Sequence, residues 1–411
     1  AIEDVLLSRH VDGGRVNSIL ERYETKVFTY ERFPGTDVSA TAKRVMFEAA
    51  QPTSYQTIAP LLKDLTEDSR CEGFTLLTDN TAGQQFSESD LPISPIRRAG
   101  VPVMADIPEG PYDVTLVLDE PENTPASILL YSAKSVFNSK RLFFFSGGLF
   151  SELLNKIILS NDDGKPDEID GIFVADELAK RLLCETTHVP KAKVTIIGSP
   201  LIETLTPENS ESLRASGRKK LNISDSARVA FYAGIIAEGF KKSGGTDDLN
   251  LRSYAETLEG MKIAACNNKS KEFVLVVRTH PRARNIEALP APTDLPSNLH
   301  VVSGADISYD EVVYAADVLC CNPLSSEMLL GAYRGRIPAV FAYLGENQFG
   351  GICEKIYGKD GMRIIRDSGR AEFVESSHDI ARIMERKNKA EPLAKPVESA
   401  KKKIKELLLA D

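Results

Sequence analysis

The chain has no run of about 18 apolar residues, the length a membrane-spanning helix needs, and its most apolar stretch, Leu142–Leu149, is far too short. Residues 1–20 carry no signal-peptide pattern. Cysteine is scarce. The six thiols, Cys71, Cys184, Cys266, Cys320, Cys321 and Cys353, form no C-x-x-C pair and no zinc spacing. Cys320 and Cys321 fall in an apolar run, which predicts reduced, buried thiols and a cytoplasmic compartment. No Asp-x-Asp pair offers a metal site. Positive charge is not in excess: the formal net charge is −9, so no global basic field exists for nucleic acid, and no nucleic-acid partner is expected. No internal repeat is visible, and a composition of 42% hydrophobic and 27% charged residues excludes a disordered or fibrous chain.

What is present is a 411-residue chain, long enough for two or three hydrophobic cores. Its repeated unit is an apolar, β-branched run, a turn, and a helical pattern, which predicts α/β layering around a largely parallel sheet. In the first half, Arg44–Ala50 and Gly73–Thr78 read as strands around a helical Gln56–Leu65, one βαβ unit. Strands follow at Asp113–Leu118, Arg141–Phe145, Gly171–Ala175 and Val194–Ile197, and helices at Thr124–Val136, Leu149–Leu159 and Asp176–Cys184. Residues 1–42 precede the first clear strand and fit no repeat of the pattern, either as an extra strand and helix or as an arm, and an arm would suit a homo-oligomer.

A boundary is expected around Leu205–Arg228, after which the grammar restarts. Strands are predicted at Arg228–Gly234, Phe273–Arg278, His300–Val302, Val318–Cys321 and Ala339–Ala342. Helices are predicted at Asp310–Ala315, Ser325–Tyr333 and Ser377–Arg386. Val397–Leu409 is amphipathic, with Lys401, Lys402, Lys403 and Lys405 beside Leu407–Leu409. It is either a solvated helix or a peripheral contact with anionic lipid at the inner face of a membrane. The expected division is therefore an extension (1–42), a first Rossmann-like domain (43–205) and a second one with a terminal helix (206–411). Ligands of doubly wound sheets sit beyond the carboxyl ends of the strands, so two such domains facing each other would share a cleft.

Three loops of the second half fall at those ends. Gly234 closes one strand and lets a ligand approach the backbone, although a glycine there also serves simple turns. His280 follows Arg278 and is held extended by Pro281, with Arg278, Arg282 and Arg284 offering forked donors to phosphate. A histidine satisfied by local backbone in a solvated loop is the competing reading. Ser325 and Ser326 open a helix, where amides and hydroxyls either cap the helix or bind a phosphate favoured by the dipole. In the first half, Asp119 and Glu120 end a strand and are either a general base for an acceptor hydroxyl or a solvated acidic turn before Pro121. Gly147-Gly148 and Glu346–Gln348 follow strands and are candidate sugar contacts.

The run from Asp306 to Ser326, with Ala316-Asp317 and Ser325-Ser326, together with His280-Pro281 upstream and the turn from Gly335 to Pro338, resembles the donor half of GT-B glycosyltransferases. It looks closest to the group around CDP-glycerol glycerophosphotransferases and UDP-N-acetylglucosamine 2-epimerases. The resemblance covers about residues 170–385, and the first half matches only as a generic nucleotide-sugar enzyme domain. It implies two Rossmann-like domains, no resident cofactor, and a UDP- or CDP-linked donor whose diphosphate is held by the His280 loop and Ser325-Ser326. With no Asp-x-Asp pair in the sequence, the helix dipole and cationic side chains are expected to stabilise the leaving diphosphate without a metal. Leu330 and Gly331 stand where the family commonly has an acidic ribose-binding residue, and Glu327, four residues before Gly331, is on the same helical face. The epimerases' double-glycine helix start is absent, and Gln51-Pro-Thr-Ser-Tyr replaces the first-half glycine loop. Three functions follow: a transferase of a glycosyl or polyol-phosphate group to a glycan, lipid or protein acceptor; a sugar-nucleotide epimerase or hydrolase; or a non-catalytic scaffold of the same fold.

Overall fold

The computed structural model describes residues 29–33, 40–49, 58, 60–65, 67–77, 111–118, 138–146, 169–186, 189–204, 207–234, 249–278, 289–321, 327–341, 360–361, 363–386 and 399–410. The expected helices Thr124–Val136 and Leu149–Leu159 lie outside these residues. The chain divides into two units, residues 1–203 with 396–411, and residues 204–395.

The first unit is built on a seven-stranded sheet of β1 (Thr29–Phe33), β2 (Lys43–Ala49), β3 (Cys71–Leu77), β4 (Val114–Leu118), β5 (Arg141–Ser146), β6 (Gly171–Val174) and β7 (Val194–Ile196). Its order is β1-β3-β2-β4-β5-β6-β7, parallel throughout except for β1, which runs antiparallel along β3 at the edge. Thr29–Phe33, in the segment expected as an extension, thus belongs to this sheet. Every residue of β4 and β6 is buried, as a parallel sheet covered on both faces requires. The first unit also holds α1 (Glu177–Thr186), the short α2 (Pro200–Glu203) and a helical stretch over 60–65, while the next helix, α3 (Pro207–Lys220), lies in the second unit.

The second unit holds a six-stranded, wholly parallel sheet of β8 (Arg228–Ala233), β9 (Phe273–Arg278), β10 (Leu299–Ser303), β11 (Val318–Cys321), β12 (Ile337–Phe341) and β13 (Glu372–Val374). The order is β10-β9-β8-β11-β12-β13. Its helices are α3, α4 (Leu249–Asn267), α5 (Tyr309–Ala315), α6 (Glu327–Tyr333) and α7 (Ser377–Glu385). The sequence pattern did not announce α4. Its buried face is Ser253, Thr257, Gly260, Ala264 and Ala265 with Tyr254 and Met261, so small and polar residues mask the apolar period. The reason is close packing: a Cβ on Gly260 would fall 2.6 Å from Ile380 Cβ of α7.

The terminal helix α8 (Ala400–Leu409) departs from the expected division, because it packs in the first unit and not the second. Ile404 and Leu408, one turn apart, are fully buried in the first core beside Val45, Leu61 and Leu116. Both helix ends are satisfied by that unit. Glu203 accepts the Ala400 amide, and Ser399 caps the Lys402 amide at 3.3 Å. At the other end the Arg141 guanidinium donates to the carbonyls of Leu407 (3.2 Å), Leu408 (3.3 Å) and Ala410 (2.9 Å). Two lysines of the basic cluster, expected either on a solvated face or against anionic lipid, pair with acids of the same unit, Lys401 with Asp64 (3.0 Å) and Lys405 with Asp68 (2.7 Å). No helix among the described residues is long and apolar enough to cross a membrane.

Candidate functional site

Strand order locates the crevice. In the second sheet the chain steps from β8 outward to β9 and β10, then returns to β11 on the other side of β8 and continues to β12 and β13. The reversal of strand order beside β8 makes the carboxyl ends of β8 and β11 the topological switch point, the place where ligands of doubly wound sheets sit. Gly234 follows β8 directly, and 322–326 is the connection leaving β11. In the first sheet the same reversal falls between β2 and β4. Asp119 and Glu120 come immediately after β4, the switch-point strand of their own unit.

Of the predicted site residues, Gly234 and Arg278 are described, and Glu327 is described as the first residue of α6. Asp119, Glu120, His280, Arg282, Ser325 and Ser326 lie outside the described residues, as do Gly147-Gly148 and Glu346–Gln348. The Gly234 amide bonds the Arg278 carbonyl at 2.9 Å, and the Gly304 amide bonds the Val277 carbonyl at 2.9 Å, so the carboxyl ends of β8, β9 and β10 are knit together.

Arg278 has a task the sequence did not suggest. Its Nη1 donates to the Ile307 carbonyl at 2.6 Å and reaches the Gly304 carbonyl at 3.5 Å, fixing the turn between β10 and α5. The same guanidinium lies 5.7 Å from the ring centroid of Tyr309, the first residue of α5, and that ring packs edge-on to Phe231 of β8. Tyr309 keeps 38% of its surface exposed at this edge of the sheet.

Gly331, read as part of the missing ribose contact, faces inward. A Cβ there would meet Leu319 Cδ1 at 2.9 Å and Pro338 Cγ at 3.1 Å, and Leu330 beside it is buried. That face of α6 is turned to β11 and β12, and a longer side chain at 331 has no space to reach a ligand.

The start of α5 is held by charge. Ser308 caps the Glu311 amide at 3.3 Å, while Glu311 receives Ser216 Oγ at 2.6 Å and Lys220 Nζ at 2.7 Å from α3. Lys220 above all, then the Ser216 and Ser308 hydroxyls, pull the Glu311 carboxyl down to about 2.

At the amino edge of the sheet, Asp317 of the Ala316-Asp317 motif is buried among arginines. Its carboxylate accepts Arg214 Nη2 at 2.9 Å, Arg218 Nη2 at 3.3 Å and the Val229 amide at 2.9 Å, with Arg228 Nη1 at 3.9 Å. Burial works to raise this carboxyl, but the Arg214 charge, the Val229 amide and the other arginines outweigh it and hold the group below its usual range. Asp317 precedes β11, at the end of the strand opposite the crevice, so the motif is structural in this chain. The arginine spacing Arg214-x-x-x-Arg218, one face of a helix, was the signal that could have revealed it.

The fold is of the GT-B type that the resemblance implied. No protein-family profile and no curated protein matches the chain. Among solved structures, UDP-GlcNAc 2-epimerase from Methanocaldococcus jannaschii in complex with UDP-GlcNAc and UDP superposes with a TM-score of 0.52 at 13% identity, over 89% of this chain and 99% of that one. A second structure of that enzyme gives 0.50 at 12% identity with the same coverage. A variant of the wall teichoic acid polymerase TagF gives 0.44 at 12% identity, over 85% of this chain and 80% of that one. At such identities the likeness is one of fold.

Proposed function

We propose that this chain is a nucleotide-sugar-dependent enzyme that binds the diphosphate of its donor beyond the carboxyl ends of β8 and β11. The observation that carries the reading is the strand order, which puts the switch point between Gly234 and the Asn322–Ser326 connection. In this reading His280, Arg282 and the Ser325-Ser326 amides and hydroxyls take the diphosphate, and the ribose does not fall to Glu327, whose position shares the inward face of Gly331. Arg278 contributes charge while anchoring its turn. The leaving diphosphate is stabilised by these cations and amides without a metal. Asp119 or Glu120 acts as the general base. The support for that role is their position after the switch-point strand of the first sheet.

The reaction is proposed to be transfer of a glycosyl or polyol-phosphate group from a UDP- or CDP-linked donor to a glycan, lipid or protein acceptor. The second reading is 2-epimerisation or hydrolysis of the sugar-nucleotide, favoured by the name of the solved protein with the 0.52 superposition, whose complex holds UDP-GlcNAc and UDP. The missing double glycine at 325–326 speaks against it.

Thermal denaturation against UDP, CDP, GDP, ADP and their sugars tests the site. A ligand at about 100 times Kd adds about 2.7 kcal/mol. The shift should vanish in His280→Ala and in the Ser325→Ala/Ser326→Ala pair; an unchanged shift in both overturns the site. Nucleotide release that requires an added acceptor separates transfer from epimerisation.

A further inference from the structure

Arg278, the last residue of β9, is bonded in two directions at once. On one side its backbone pairs with Ala233 of β8, and its carbonyl accepts the Gly234 amide at 2.9 Å. On the other, its side chain reaches the turn after β10, where Nη1 donates to the Ile307 carbonyl at 2.6 Å. The Gly304 amide closes that gap from the far side by donating to the Val277 carbonyl at 2.9 Å. One residue thus joins the exits of three neighbouring strands.

The contacts close into a ring. The Arg278 guanidinium lies 5.7 Å from the Tyr309 ring centroid, and the Tyr309 ring packs edge-on to Phe231 at 6.0 Å. Phe231 stands on β8 three residues before Gly234 and is paired with Val276, two residues before Arg278. No member of this circuit shifts without loosening the next. The bond from Nη1 is charge-assisted, so swinging the guanidinium away from the turn would give up one of the stronger bonds at this edge.

The chain leaving this anchor is short and stiff by composition. Only Thr279 separates Arg278 from His280, and Pro281 restricts the backbone of the residue before it. The direction in which His280 leaves the sheet therefore depends on how firmly Arg278 is held.

We propose that Arg278 is a positioning residue of the donor site: beyond the charge it brings, it fixes the departure of the His280 loop and of the Gly234 turn. This role rests on the donor reading given above and adds a coupling to it. Coupling between two places is reciprocal, so a turn that favours the liganded loop must itself be tightened when ligand binds.

Calorimetric titration of the full chain with UDP, CDP, GDP and ADP, followed by hydrogen exchange with whichever binds, tests the role. Arg278→Lys keeps the charge but loses the planar fork that meets a carbonyl while lying against an aromatic ring. It should bind the nucleotide about tenfold more weakly than the wild type, and Arg278→Met at least as weakly. Nucleotide should slow exchange of the Gly304 amide in the wild type and do so less in Arg278→Lys. Wild-type affinity in Arg278→Lys would show that charge suffices and would overturn the role. A lower Tm in that variant with affinity and protection unchanged would make the anchor merely structural, which also overturns it. If Arg278→Lys does not fold, the wild-type exchange decides alone, and no protection of Gly304 by nucleotide sinks the role. Binding lost in His280→Ala but kept in both Arg278 variants overturns this role and leaves the donor site standing. A wild type that binds none of the four nucleotides overturns both.

Discussion

Asp317 and Val229 bond each other twice: the Asp317 amide donates to the Val229 carbonyl at 2.8 Å, and the Asp317 carboxylate accepts the Val229 amide at 2.9 Å. This exchange sets the register of β8 against β11 at the switch point, with Val318 opposite Ala230 one step on. Removing the carboxylate leaves buried guanidiniums and an unmatched amide. Asp317→Ala should destabilise the second unit by about 3–5 kcal/mol, the cost of breaking a buried ion pair from one side. Urea denaturation followed by a probe in that unit checks it, and a loss below about 1 kcal/mol would show that the ladder holds without the side chain.

Glu311 gives the second unit an acid sensitivity of known sign. Its carboxyl is near 2 when folded and near its ordinary 4.5 when unfolded. Between those values the unfolded chain binds the extra proton, so stability rises with pH across the window. The contribution is complete above about 4.5 and is lost as pH falls toward 2. Glu311→Gln should flatten stability against pH in that interval and leave the slope above pH 5 unchanged.

The contact beneath Glu311 is steric. A Cβ on Gly217 would lie 2.2 Å from the Glu311 carbonyl oxygen, which belongs to backbone and cannot rotate away. Alanine favours a helix over glycine by about 1 kcal/mol, yet forcing α3 off α5 costs more than that gain. Gly217→Ala should therefore destabilise by about 1–3 kcal/mol net, measured by chemical denaturation. A stabilising result would mean that the two helices separate freely.

The strands were legible because both sheets are parallel and buried on two faces, which writes each strand as a continuous apolar run such as Val318–Cys321 or Val114–Leu118. Helix α4 was not, since its buried face is small and polar. β13 was not, because three residues carry no period. At the candidate site, Gly234 and Arg278 could be picked out by their place after strands. The use of Arg278 to hold the 304–307 turn could not, because its acceptors are backbone carbonyls, which any sequence supplies. The inward face of Gly331 was hidden for the same kind of reason: helical spacing tells which residues share a face, not which face meets the sheet.

The terminal helix offers the sharpest test of how the units are built. Its lysines suggested a solvated or lipid-facing element of the second domain, but Ile404 and Leu408 complete the first core, and Lys401 and Lys405 pair with Asp64 and Asp68. Ile404 is fully buried, so Ile404→Ala removes apolar contact and leaves a cavity, which should cost about 2–5 kcal/mol. The loss should appear in the first unit alone, because sites without shared partners act independently. Hydrogen exchange resolves the two outcomes. Faster exchange in β2, β4 and the 60–65 helix, with β8–β11 unchanged, is the expected result. Faster exchange confined to the second unit would place the helix where the amino-acid order alone had put it. Arg141→Ala, which frees the carbonyls of Leu407, Leu408 and Ala410, should act in the same direction with a smaller effect of about 1–3 kcal/mol, since only helix-end partners are lost.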